Sequence, residues 1–230
     1  MIPKIALSGL LAILAGAALS DPVGPEGRSL PVVEEEPVSR QPGDRPAARG
    51  NHLPRARWEH RRNGELWTRV ALSAVTTHGA ALLESVPEDI ADWCPAYPEN
   101  EKAERAAFWA GLLSTLSRYE STWNPKAVGG NGQWFGLMQI YPKTAEFRSC
   151  RARSADSLKH GPSNLNCAIR IMAATVPRDN AISVRDERWR GVAADWAPIR
   201  NDRMRRDMQR YTKRQTYCRL LSEVRPKRRP

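Results

Sequence analysis

Paired CxxC spacings, clustered histidines and alternating strand-like runs are all missing from this 230-residue chain. Cys94, Cys150, Cys167 and Cys218 stand apart, and His52, His60, His78 and His160 are scattered, which argues against a zinc site and predicts neither metal nor cofactor. The first twenty residues, MIPKIALSGLLAILAGAALS, hold an apolar run too short for a comfortable membrane span. With Lys4 ahead of that run and Ala18 and Ser20 in a small-x-small arrangement behind it, residues 1–20 read as a secretory signal, a permanent N-terminal anchor being the alternative. Residues 21–56 carry seven prolines, many charges and no aromatic side chain. Such a segment cannot bury enough apolar surface to offset its ordering entropy and reads as a disordered Pro-rich linker. No Asn-Gly or Asp-Gly hairpin is found between alternating runs, and no internal repeat is evident.

What remains is a helical domain. The composition, 41% hydrophobic and 27% charged, suits one globular core, placed at residues 57–222 with a basic tail at 223–230. Export to a periplasm or the exterior favours two disulfides. Of the three possible connectivities, Cys150 with Cys167 closes a short loop and leaves Cys94 for Cys218. The net charge of +11 predicts attraction to an anionic partner. For an exported protein that is an anionic envelope polymer or membrane surface rather than nucleic acid, although arginines that only solubilise a surface fit equally well. Oligomeric state leaves no trace in the pattern.

Apolar spacing predicts helices from Leu66 to Val75, with Leu66, Val70 and Leu72 among the core positions and a break at His78-Gly79. A long helix follows from about Glu99–Lys102 to a stop at Asn124-Pro125. Another is expected around Leu165, Ile169, Met172 and Ala173, and two more lie near the C-terminus, the last one basic. In the long helix, Trp109, Leu113 and Leu116 form an apolar stripe that Glu120 continues. A carboxyl on the core-facing side of a last helical turn is pushed toward its neutral form by desolvation and by the negative end of the helix dipole. An acid held partly protonated near neutrality can lend a proton to a leaving oxygen and take one back, as lysozyme's pocket glutamate does in the general account of such sites.

Three segments around this glutamate, ESTWNPKAV, FGLMQIYPKTA and NLNCAIRIM, occur in an order that resembles the lytic transglycosylases of lysozyme-like fold. The resemblance implies that Glu120 is the sole catalytic acid/base, with Ser121 as an orienting hydroxyl. Asn124 and Pro125 would end the helix and shape the turn behind the cleft. Gly136 would let backbone pass close to the sugar chain, and Leu137, Met138 and Gln139 would floor the cleft, Gln139 offering its amide to sugar groups. Each has a plainer alternative, Ser121 as a helix-end hydroxyl, Gly136 as a turn glycine and, at even odds, Met138 as core filling. Where many family members carry a Tyr-Asn pair, this chain has Asp195 and Trp196. Two readings of Trp196 stand, stacking on a sugar and holding the cleft wall, and Tyr141 is either a substitute hydroxyl or a loop cap.

Glycosidases ordinarily use two carboxylates. Glu146 and Asp156, the next acids along the chain, fall in a polar stretch, which leaves Asp195 as the one outside candidate. The family resolves this by using the substrate's own groups. The resemblance therefore implies cleavage of peptidoglycan between N-acetylmuramic acid and N-acetylglucosamine with a 1,6-anhydro product. A goose-type-lysozyme-like hydrolase and a non-catalytic peptidoglycan-binding scaffold are the alternatives.

Overall fold

The computed structural model describes residues 53–220. The segment read as a secretory signal, most of that read as a linker, and the basic tail lie outside the described residues. Helix α1 spans Gly64–Thr76 and α2 Ala81–Glu84, and two short 3₁₀ turns lead into α3, Lys102–Ser121. A two-stranded antiparallel hairpin follows, β1 Val128–Gly129 and β2 Trp134–Phe135. Then come α4 Pro142–Phe147, α5 Ala155–Leu158, α6 Gly161–Asp179, α7 Val192–Asp195, α8 Ala197–Arg200 and α9 Asp202–Lys213.

Helix α3 is the axis of the domain. From Ala106 to Ser117 every residue is buried, so the helix has no solvent face over three turns and is enclosed by its neighbours, among them α1 and α9. Its buried hydroxyls are all used: Ser114 Oγ donates to the Gly111 carbonyl at 2.6 Å and accepts from Arg57 N at 2.8 Å, and Thr115 Oγ1 accepts from Arg57 Nη1 at 2.9 Å. Aromatic packing seals one end. Trp109 Nε1 donates to the Tyr97 hydroxyl, which donates to the Leu82 carbonyl, and the rings of Tyr97, Phe108 and Trp109 meet edge to face.

Helix α1 sits one position away from the expected phase. Trp67, Ala71, Ala74 and Val75 point inward, Val70 and Leu72 are only partly covered, and Leu66 is exposed. Trp67 decides this, because burying a large indole outweighs burying one leucine. Packing also begins earlier than the proline-rich composition suggests, since Ala56 is buried and Arg57 bonds to both α3 and Asp207 of α9.

Both disulfides are present as expected, Cys94–Cys218 and Cys150–Cys167. The first ties the segment before α3 to the end of the described chain, and the second ties the loop after α4 to α6.

Candidate active site

Helix α3 ends abruptly. Thr122 and Trp123 both take left-handed backbone conformations, with φ of 51° and 58°. The Thr122 and Trp123 amides donate to the carbonyls of Arg118 and Ser117, and Trp123 Nε1 reaches the Ser114 carbonyl at 2.8 Å. The stop therefore falls before Asn124-Pro125, where the sequence had suggested it. A β-branched threonine in the left-handed region costs on the order of 1–2 kcal/mol, a strain that surrounding structure must offset. Asn124 acts just beyond, its Oδ1 accepting from Lys126 N in a tight turn.

Glu120 sits in that last turn. Trp109, Leu113 and Leu116 beneath it are fully buried, so the stripe is real and the carboxyl extends it. Burial alone raises its pKa to about 7, and no charge or hydrogen bond offsets the effect. Near neutrality the group is therefore divided between acid and anion.

The loop beside it is held to the helix as one unit. Ser121 Oγ donates to the Leu137 carbonyl at 2.9 Å as well as to Ser117 within the helix. The serine expected to orient the acid thus fixes the loop instead. Asn164, fully buried on α6, clamps the other side: its Oδ1 accepts from Met138 N at 2.8 Å, and its Nδ2 donates to the Phe135 and Leu158 carbonyls at 2.9 and 3.0 Å. Gly136 has φ of 81°, and a Cβ there would stand 2.1 Å from the Leu158 carbonyl oxygen. Its glycine is required by this internal crossing rather than by approach to a sugar.

The expected cleft floor needs a similar correction. Leu137 and Met138 are fully buried, so they support the floor from beneath and present no surface to a ligand. The Gln139 amide nitrogen donates to the Ala127 and Gly136 carbonyls, which spends it on the loop. Trp196 is 4% exposed, and its Nε1 donates to the Met138 carbonyl at 3.0 Å, which resolves its two readings in favour of the wall.

A groove of about 100 Å³ opens between these pieces, lined by Gln139, Ile140, Tyr141, Thr144, Ile171, Trp196, Trp134 and Asp195. Tyr141 stands where α4 begins and faces this groove. Trp134, on β2, is 46% exposed and offers an aromatic face that sequence reasoning passed over. Its hairpin was also missed, although Asn131-Gly132 is the usual signal for one; both residues take positive φ, 52° and 88°. Asp195 lines the groove although much of the residue is exposed; loss of water around its carboxyl raises its pKa against the opposing Thr175 hydroxyl. Glu146 and Asp156 are solvent-exposed. Among the described residues no cluster of histidine, cysteine and acidic groups could hold a metal.

The model of the Transglycosylase SLT domain matches residues 98–213, which takes in α3, the hairpin, the clamped loop and α6 to α9. The chain belongs to this family. Membership carries a lysozyme-like helical fold and lytic-transglycosylase-type cleavage of peptidoglycan in general. Solved structures of DslA, as wild-type form 2 and as two glutamate-to-glutamine mutants, are similar to it. Each is 26% identical with a TM-score of 0.67, covering 73% of this chain and 100% of theirs. No curated protein sequence matches the chain. The SLT match spans Glu120, Asn164 and Trp196 together, so the acid and both groups that fix its neighbouring loop fall inside the family domain.

Proposed function

We propose that this chain is an exported lytic transglycosylase that cleaves peptidoglycan between N-acetylmuramic acid and N-acetylglucosamine, with Glu120 as its single acid/base. The observation that carries the reading is the Glu120 carboxyl, partly buried at a helix end and desolvated enough to raise its pKa to about 7. In the acid form it protonates the departing glycosidic oxygen as the muramyl 2-acetamido group assists at C1. The resulting carboxylate then takes the proton of the muramyl 6-hydroxyl as that oxygen bonds to C1. One C–O bond breaks, one forms, the carboxyl is regenerated and no water is consumed. Holding the 6-hydroxyl beside C1 makes the second step intramolecular, an advantage on the order of 7–11 kcal/mol at best.

The groove lined by Gln139, Tyr141 and Trp196 supports this reading through Trp134, whose exposed ring can stack on a sugar, and the loop that follows Glu120 is fixed at three points before substrate arrives. Signal-like residues 1–20 and the two disulfides support export to a periplasm or the exterior. A hydrolytic reading has one observation in its favour, the Asp195 carboxyl on the same groove. Mass spectrometry of digested sacculi separates the two. Muropeptides ending in 1,6-anhydro rings, absent with Glu120→Gln, support the transglycosylase; reducing ends defeat it. Binding without release of soluble fragments would favour a scaffold.

A further inference from the structure

The largest cavity among those described, about 670 Å³, runs along the contact of α1 and α6 and does not include Glu120. Two helix faces build it. Val70, Ser73 and Thr77 recur at i, i+3 and i+7 along α1 and its C-cap, and Ser163, Asn166 and Arg170 do the same on α6. Arg69 and His78 extend the first face, and Arg151 enters from the loop after Cys150.

The lining contains three guanidinium groups, an imidazole and several hydroxyls, and no carboxylate. Arg69 is already engaged by Glu65, at 3.2 and 2.7 Å. Arg151 and Arg170 have no ion pair among the described residues, and Arg170 Nε is closed off from solvent with no acceptor. A buried donor in that state carries an uncompensated desolvation cost. His78 Nε2 lies 3.1 Å from the Asn166 carbonyl, so that nitrogen carries the hydrogen. Its pKa is lowered, first by burial and then, against the Asn166 carbonyl, by Arg170 and Arg151, so the ring registers the concentrated positive charge. The disulfide fixes the spacing of the two free arginines, since Arg151 follows Cys150 and Arg170 stands one turn beyond Cys167.

We propose that this cavity binds a phosphate group carried on a larger molecule. Arg170 from α6 and Arg151 from the Cys150 loop line it together with the Ser73 and Ser163 hydroxyls, a set of donors without a carboxylate that suits a phosphoryl oxyanion. The volume exceeds that of one phosphate and falls among ordinary small-molecule sites, roughly 300–1,000 Å³. A soluble phosphoryl compound and an anionic lipid headgroup present the same chemistry. The inference does not depend on the glycosidic reaction.

The test is an NMR titration of the full chain with inorganic phosphate and with glycerol 3-phosphate at constant ionic strength, following the amides of Ser163, Asn166 and Arg170. Saturable shifts confined to the cavity are expected. Arg170→Gln and Arg151→Gln should each weaken binding about tenfold. Arg151 is exposed, so its replacement leaves the fold intact even if that of Arg170 does not. The double variant Arg203→Gln/Arg206→Gln on α9 should bind as wild type does. Vesicles of phosphatidylglycerol beside phosphatidylcholine then identify the source: retention that Arg151→Gln abolishes assigns a headgroup, and unchanged retention assigns a soluble phosphate. Shifts no larger than those from chloride, or equal losses from the α9 variant, would overturn the proposal.

Discussion

Asn164 Oδ1 accepts a hydrogen bond from the Met138 backbone amide at 2.8 Å, joining α6 to the loop that Ser121 ties to the end of α3. The same amide side chain donates to two more carbonyls, so one buried asparagine satisfies three backbone groups. Replacing it by leucine leaves the Met138 amide and the Leu158 carbonyl without this partner, while the Phe135 carbonyl keeps the Ile140 amide at 3.0 Å. The expected cost is about 3–5 kcal/mol, since each buried unsatisfied group costs roughly 1–3 kcal/mol and the loop relaxes in part. Urea denaturation of Asn164→Leu checks this, and activity should fall at temperatures where the variant is still folded.

Gly136→Ala meets two obstacles at once, a left-handed backbone and a carbonyl oxygen 2.1 Å from the new carbon. A loss well above the roughly 1 kcal/mol typical of an alanine forced to positive φ is expected, measurable as a drop in Tm. A variant as stable as the parent would show that the loop does not cross Leu158 this closely.

Glu120 should cost the fold stability in a defined pH window. Its folded pKa of about 7 lies above the ordinary glutamate value of 4.5, so the native state binds the proton more tightly than the unfolded chain. The penalty is absent below about pH 4.5, grows as pH rises, and is complete above about 7, where it reaches roughly 3 kcal/mol. Glu120→Gln removes it. Denaturation of the two proteins should therefore coincide near pH 4 and diverge by pH 8, with the glutamine variant the more stable.

Trp134→Ala tests the groove without touching the core, because the ring is 46% exposed. We expect KM on soluble glycan fragments to rise about tenfold, in line with the roughly 1–3 kcal/mol of a lost aromatic stack, with Tm unchanged. A change in kcat alone would place Trp134 outside the binding surface.

Periodicity made the acid legible, because Trp109, Leu113 and Leu116 set a phase that Glu120, partly buried, continues. The disulfides were legible from loop length. Less visible was what each loop residue is for. Gly136 and Gln139 were read as facing a sugar and Ser121 as orienting the acid, whereas a glycine required by a neighbouring carbonyl, an amide spent on backbone and a hydroxyl spent on a loop look the same in a one-dimensional string. Trp196 could not be assigned until its indole hydrogen was seen to point at Met138. The phase of α1 failed for a related reason: Leu66 and Trp67 are adjacent, and which of them turns inward depends on the helices packed against them. The hairpin escaped notice because its strands are two residues each, too short for any alternation to show.

The carboxyl of Glu120 can be titrated directly by carbon NMR with selectively labelled glutamate, using Glu120→Gln to assign its resonance. A midpoint near 7 in the free protein is the predicted result, matched by activity that falls as pH rises past that value. A midpoint at the ordinary glutamate value of about 4.5 would mean the group is an anion throughout the working range, and the acid/base role assigned to it would fail.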